Sequence, residues 1–138
     1  MENLKFYYFY FYYKVYNSIE YTSKLLGGAF LSEMKAGIVL IALELWLVMS
    51  MYNYYTVISN NKLHLSINEP IVFIPFLIIL SLKMLFFTDT KLFKKYKKKF
   101  DSLPSSYNKK GSIIVTLISL LVLANLIFSF YLLSSRKE

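Results

Sequence analysis

Apolar residues in this chain come in long runs instead of the two-residue alternation of strands or the one-sided stripes of soluble helices. Ala36 to Val57 carries one formal charge, Glu44; Ile71 to Phe87 carries one, Lys83; Ser112 to Leu133 carries none. A helix needs about 20 predominantly apolar residues to cross a hydrocarbon core of about 30 Å. Three spans are therefore predicted, over 31–58, 71–87 and 112–133. Pro70 opens the second, and Pro75 falls in its first turns, where a missing N–H costs few backbone hydrogen bonds.

Two further helices follow from the pattern outside these runs. Phe6 to Tyr13 are eight consecutive aromatics. That run is too short and too phenolic to span, and it lacks the aliphatic core of a signal peptide. Tyrosine hydroxyls seek water while their rings seek the headgroup boundary, which predicts an interfacial helix over 3–26. The aromatics surround this helix, so some of them must contact protein. Gly27 and Gly28 then let the chain turn. Thr88, Asp89 and Thr90 offer caps for a second helix over 90–103, whose residues Leu92, Tyr96, Phe100 and Leu103 share one face with lysines on the rest. This is a basic amphipathic helix expected to lie against the bilayer. The fold class is all-α integral membrane, a single membrane domain of three transmembrane helices plus these two surface helices. No internal repeat is present, which disfavours an inverted-repeat transporter.

Charge sets the orientation. Of the sixteen Lys and Arg, half stand between Thr88 and Gly111, against the single Lys62 of the segment Ser59 to Glu69. By the positive-inside rule the lysine-rich loop is cytoplasmic, which puts the N-terminus inside and the C-terminus outside a bacterial inner membrane. Arg136 and Lys137 in the external tail run mildly against this rule. The net charge of +8 reads as topology and anionic-lipid contact, through Lys91, Lys94, Lys95, Lys98 and Lys99. Nucleic acid is disfavoured, because the aromatics between those lysines are better used in holding the helix to the bilayer.

Candidate chemistry is sparse. Glu44 lies about 12 Å and Lys83 about 7 Å below the cytoplasmic face at about 1.5 Å per residue. Two readings stand: an intramembrane Glu44–Lys83 ion pair that fixes helix register, or Glu44 as a proton- or ion-binding carboxylate lining a path. Gly28, Ser32 and Ala36 form a small-residue stripe suited to close helix packing, and Asn125 and Ser129 to hydrogen bonds between helices. There is no cysteine, and His64 is the lone histidine. A metal cluster lacks ligands, no nucleotide-binding turn occurs, and no cofactor or catalytic residue is predicted.

The block Lys94 to Pro104, the glycine-opened final span running to Tyr131, the aromatic N-terminus and the Tyr52-Asn53-Tyr54-Tyr55-Thr56 exit of the first span resemble small multi-pass inner-membrane proteins of Bacteroidota. The resemblance implies no activity and no functional residues. The function expected from the residues is a non-enzymatic assembly or interaction component, self-associated or partner-bound. The alternative is a pore-forming or membrane-disrupting effector of the toxin, holin or anti-phage type.

Overall fold

The computed structural model describes residues 2–25, 32–60, 69–87 and 90–136, with the backbone alone at 85–87 and 90. Gly27, Gly28, Thr88, Asp89, residues 61–68 with Lys62 and His64, and Lys137 lie outside the described residues. Five helices occur among them: α1 (Glu2–Leu25), α2 (Ser32–Ser59), α3 (Pro70–Phe87), α4 (Thr90–Asp101) and α5 (Ser105–Ser135). Two of these, α2 and α5, are long and apolar enough to cross a membrane, and α3 supplies a shorter apolar helix, Pro70–Met84. At about 1.5 Å per residue, α5 with its 31 residues is about 46 Å long.

The last helix starts seven residues earlier than the charge pattern suggests. Pro104 cannot continue a helix, but its carbonyl accepts the N–H of Asn108 at 3.1 Å, which opens α5 there. Gly111 was expected to stand before the span and instead lies within the helix, for a packing reason given below. Residues form two compact units, Met1–Leu40 with Lys83–Leu117, and Ile41–Leu82 with Ile118–Glu138.

In the second unit the C-terminal turns of α2 and α5 lie together. Asn53 Nδ2 donates to Ser129 Oγ at 3.0 Å, and the Tyr54 hydroxyl donates to Asn125 Oδ1 at 2.7 Å. Asn53 and Ser129 are 2 % and 0 % exposed. The Ser129 hydroxyl donates to the Leu126 carbonyl at 2.7 Å while accepting from Asn53, so removing Ser129 would leave the Asn53 amide without this acceptor in an apolar layer. Asn60 ends α2 at a φ of 59°, the left-handed conformation that closes many helices and that Asn tolerates. Arg136 then donates to the freed carbonyls of Thr56 and Val57 and to Asn60 Oδ1. A tail cation that runs against the orientation rule is thus used to neutralise the negative end of a helix.

The start of α3 meets the same end of α2. The Glu69 carbonyl accepts the N–H groups of Val72 and Phe73 at 2.9 and 3.0 Å, with Pro70 in the first helical position, where its missing N–H is no loss. Pro75 does leave a gap, because the carbonyl four residues before it, Ile71, loses its helical donor. The Tyr52 hydroxyl of α2 donates to that carbonyl. Beside this bond Leu45, Met49, Phe73 and Pro75 line an apolar cleft of about 390 Å³. Tyr52→Phe should destabilise the detergent-solubilised protein by about 0.5–1.5 kcal/mol, the net contribution of one hydrogen bond that is not fully buried. In a Pro75→Ala background, which restores the helical donor, the same change should cost little. Thermal unfolding of the four members of this double-mutant cycle checks the coupling, and equal costs in both backgrounds would refute it.

Candidate functional site

The first unit is built around aromatic rings. Phe9 is fully buried and Tyr12 and Tyr13 are 3 % exposed on α1, with Phe93 and Phe100 at 5 % and 0 % on α4. Phe9 stacks on Tyr96 at 4.7 Å between centroids, and Tyr12 meets Phe93 edge-on at 4.8 Å. Phe100 takes the edges of Phe6 and Tyr10, both at 5.2 Å. Such pairs contribute about 0.5–1.5 kcal/mol each beyond the area they bury. The apolar face of α4 is therefore spent on α1 and not laid on a bilayer as the periodicity suggested. Leu92, Tyr96 and Leu103 do face this way, but they are only partly buried, and the deepest residues are Phe93, which the face had omitted, and Phe100. The physical reason is that rings on all sides of α1 need more apolar cover than one boundary supplies.

Hydrogen bonds tie the same rings to their neighbours. Asn108, at the start of α5, is the junction: its Oδ1 accepts from the Tyr10 hydroxyl at 3.1 Å, its carbonyl accepts from Lys14 Nζ at 2.8 Å, and its Nδ2 donates to the Phe100 carbonyl at 3.1 Å. Tyr12 donates to the Glu33 carbonyl of α2 at 3.0 Å and Tyr13 to Asp101 Oδ1 of α4 at 2.5 Å. Burial, with the Asp101 hydrogen bond next, pushes the Tyr13 phenol up to about 12. Burial, with Glu33 next, raises Tyr12, and burial with Tyr107 raises Tyr10. These phenols are proton donors that hold helices together, not nucleophiles. Burial pushes the Lys14 ammonium down, opposed by Asp101.

The lysines form the outer shell. Lys91, Lys94, Lys95, Lys98 and Lys99, the residues assigned to anionic lipid, are all exposed. Lys97 lies 4.9 Å from the Tyr16 ring centroid and Lys99 5.2 Å from that of Phe6, so two cations rest on the aromatic layer.

Other predicted residues are distributed differently. Lys83 is 6 % exposed and donates to the Tyr8 hydroxyl. Its Nζ is 4.7 Å from the ring centroid, beyond the phenol oxygen, so the contact is a hydrogen bond more than a cation over a ring face. Glu44 is half-buried on α2, in the second unit. Ser32 and Ala36 are 4 % and 0 % exposed, and Ala36 belongs to the aromatic cluster together with Val15 and Val115. These small residues admit helices of the same chain and offer little surface to a second copy. Gly28 lies outside the described residues. Asn125 and Ser129 take Tyr54 and Asn53 as partners, as above.

Sequence reasoning passed over Phe93, Tyr8, Asn108 and Gly111. Gly111 is buried where Tyr10 crosses α5: an added Cβ would lie 2.6 Å from two ring carbons of Tyr10 and closer to its hydroxyl. Comparison with known proteins returns no match to a family model, a curated protein or a solved structure.

Two glycine substitutions separate packing from helix propensity. Tyr10 is held by Phe100, Tyr107 and Asn108 and is only 7 % exposed, so moving it aside would break these contacts. Gly111→Ala should therefore lower the thermal midpoint of the purified protein. Gly37→Ala, where an added Cβ meets nothing within 4 Å, should leave it unchanged or raise it by the equivalent of about 0.5–1 kcal/mol. A Gly111→Ala protein as stable as the parent would show that Tyr10 does not seat there.

Proposed function

We propose that the protein is a non-enzymatic, three-span component of a bacterial inner membrane, with α2, α3 and α5 as the spans and the α1–α4 pair as a lysine-coated platform on the cytoplasmic side that engages anionic lipid and an assembly partner. The observation that carries this reading is the pairing of α1 with α4: their aromatic faces cover each other, and the outer face of α4 presents exposed lysines, while Leu4, Tyr7, Tyr21 and Leu25 stay exposed on α1. An assembly role needs a built, charged surface of this kind.

The apolar helices support the membrane part. Only 22 % and 17 % of the most apolar stretches of α2 and α5 are buried, whereas the core helix of a soluble protein hides its apolar residues. Ile38, Phe73, Ile78, Leu117 and Leu121 are all exposed, a surface suited to lipid. The ends of α2 and α5 share one region with the start of α3, as three successive passes require. A conducting path finds less support, because Asn53, Tyr54, Asn125 and Ser129 engage one another.

The chain has no cysteine, so single-cysteine variants report orientation without background. A membrane-impermeant maleimide applied to the cytoplasmic membrane of intact cells or spheroplasts should label Glu69→Cys, and should label Lys98→Cys only after permeabilisation. Labelling of Lys98→Cys in intact cells would reverse the orientation and remove the cytoplasmic platform.

A further inference from the structure

Where the first turns of α1 meet α4, a cavity of about 400 Å³ opens. Its base is aromatic, formed by Phe6 and Tyr96. One wall carries Lys95 and Lys99, one helical turn apart on α4, and the α1 wall carries Glu2 and Asn3. Lys95 and Lys99 are exposed, and neither forms an ion pair with Glu2. The cavity thus keeps a cationic wall and an anionic wall apart over an apolar floor.

We propose that this cavity binds a zwitterion in which a phosphate is linked to a primary ammonium, as in the headgroup of an aminophospholipid. The phosphate would sit on Lys95 and Lys99, which act as point-charge donors to phosphate oxygens. The ammonium would reach the Glu2 carboxylate across the cavity, where opposite charge attracts it. Lys99 Nζ already lies 5.2 Å from the Phe6 ring centroid, so the rings serve as the floor beneath the headgroup. A headgroup with phosphate and no amine satisfies the lysines and leaves Glu2 without a counter-charge. Selectivity for the zwitterion over a purely anionic headgroup is the signature of this arrangement. The inference rests on the reading of α1 and α4 as a platform at the membrane surface.

The test uses the full chain in a neutral detergent, titrated with short-chain phosphatidylethanolamine and with phosphatidylglycerol of the same chain length, with bound lipid counted by native mass spectrometry. Phosphatidylethanolamine should be retained about fivefold or more over phosphatidylglycerol. Lys95→Ala combined with Lys99→Ala should abolish that retention. Lys94→Ala, which removes an exposed charge outside the cavity, should leave it intact. Glu2→Gln should bring phosphatidylethanolamine down to the level of phosphatidylglycerol. Equal retention of the two lipids by the parent chain, or an undiminished preference in Glu2→Gln, overturns the proposal. Soluble phosphoethanolamine separates the sources: competition shows that the headgroup alone suffices and a free phosphoamine can occupy the site, while retention without competition assigns it to the lipid. Equal retention with the cysteine-labelling pattern preserved defeats this inference alone; a reversed labelling pattern defeats the platform reading beneath it.

Discussion

Eight consecutive aromatic residues on one helix cannot all face the same medium, and the first unit is arranged around that constraint. A helix turns about 100° per residue, so Phe6 to Tyr13 puts rings on every side of α1. One side is covered by Phe93, Tyr96 and Phe100 of α4. Another lies against α5, where the absence of a side chain at Gly111 lets Tyr10 approach. The phenol oxygens, costly to bury alone, are directed to the Glu33 carbonyl, to Asp101 and to Asn108. The lysines of α4 follow as a consequence: once its apolar face is occupied by α1, its charged face is what remains outside.

The apolar helices obey a second requirement, that polar groups in an apolar layer find partners within the chain. Pro75 removes a donor and Tyr52 replaces it. Asn53 meets Ser129, and Arg136 closes the end of α2. Each case has a polar residue of one helix completing the backbone or side-chain bonding of another, so these contacts set register as well as removing a desolvation cost.

The helical class and the positions of the long apolar runs were legible because run length and charge content are properties of contiguous residues. The structure shows two helices of spanning length and a shorter apolar one where those runs stand. The amphipathic character of 90–103 was legible for the same reason, but the surface it covers was not. Periodicity marks an apolar face without naming its occupant, and a ring such as Phe93 at the margin of that face becomes central only once α1 is placed against it. Gly111 read only as the residue before a span, and Asn108 drew no reading, because their roles depend on Tyr10, Lys14 and Phe100, residues distant in sequence or on another helix. Lys83 drew attention as a buried charge, yet its donation to Tyr8 could not be singled out from a run in which one tyrosine resembles the next.

The most direct measurement is proximity cross-linking of α1 to α4 in native membranes, using Tyr16→Cys with Lys97→Cys, a pair at the edge of the aromatic layer where the Lys97 ammonium lies 4.9 Å from the Tyr16 ring centroid. With a short thiol cross-linker the account predicts an efficient bond within one chain, and none when Tyr21, 69 % exposed on another side of α1, carries the first cysteine instead. Failure of the first pair to link, or linkage found only between two chains, would contradict the α1–α4 pairing on which the platform rests.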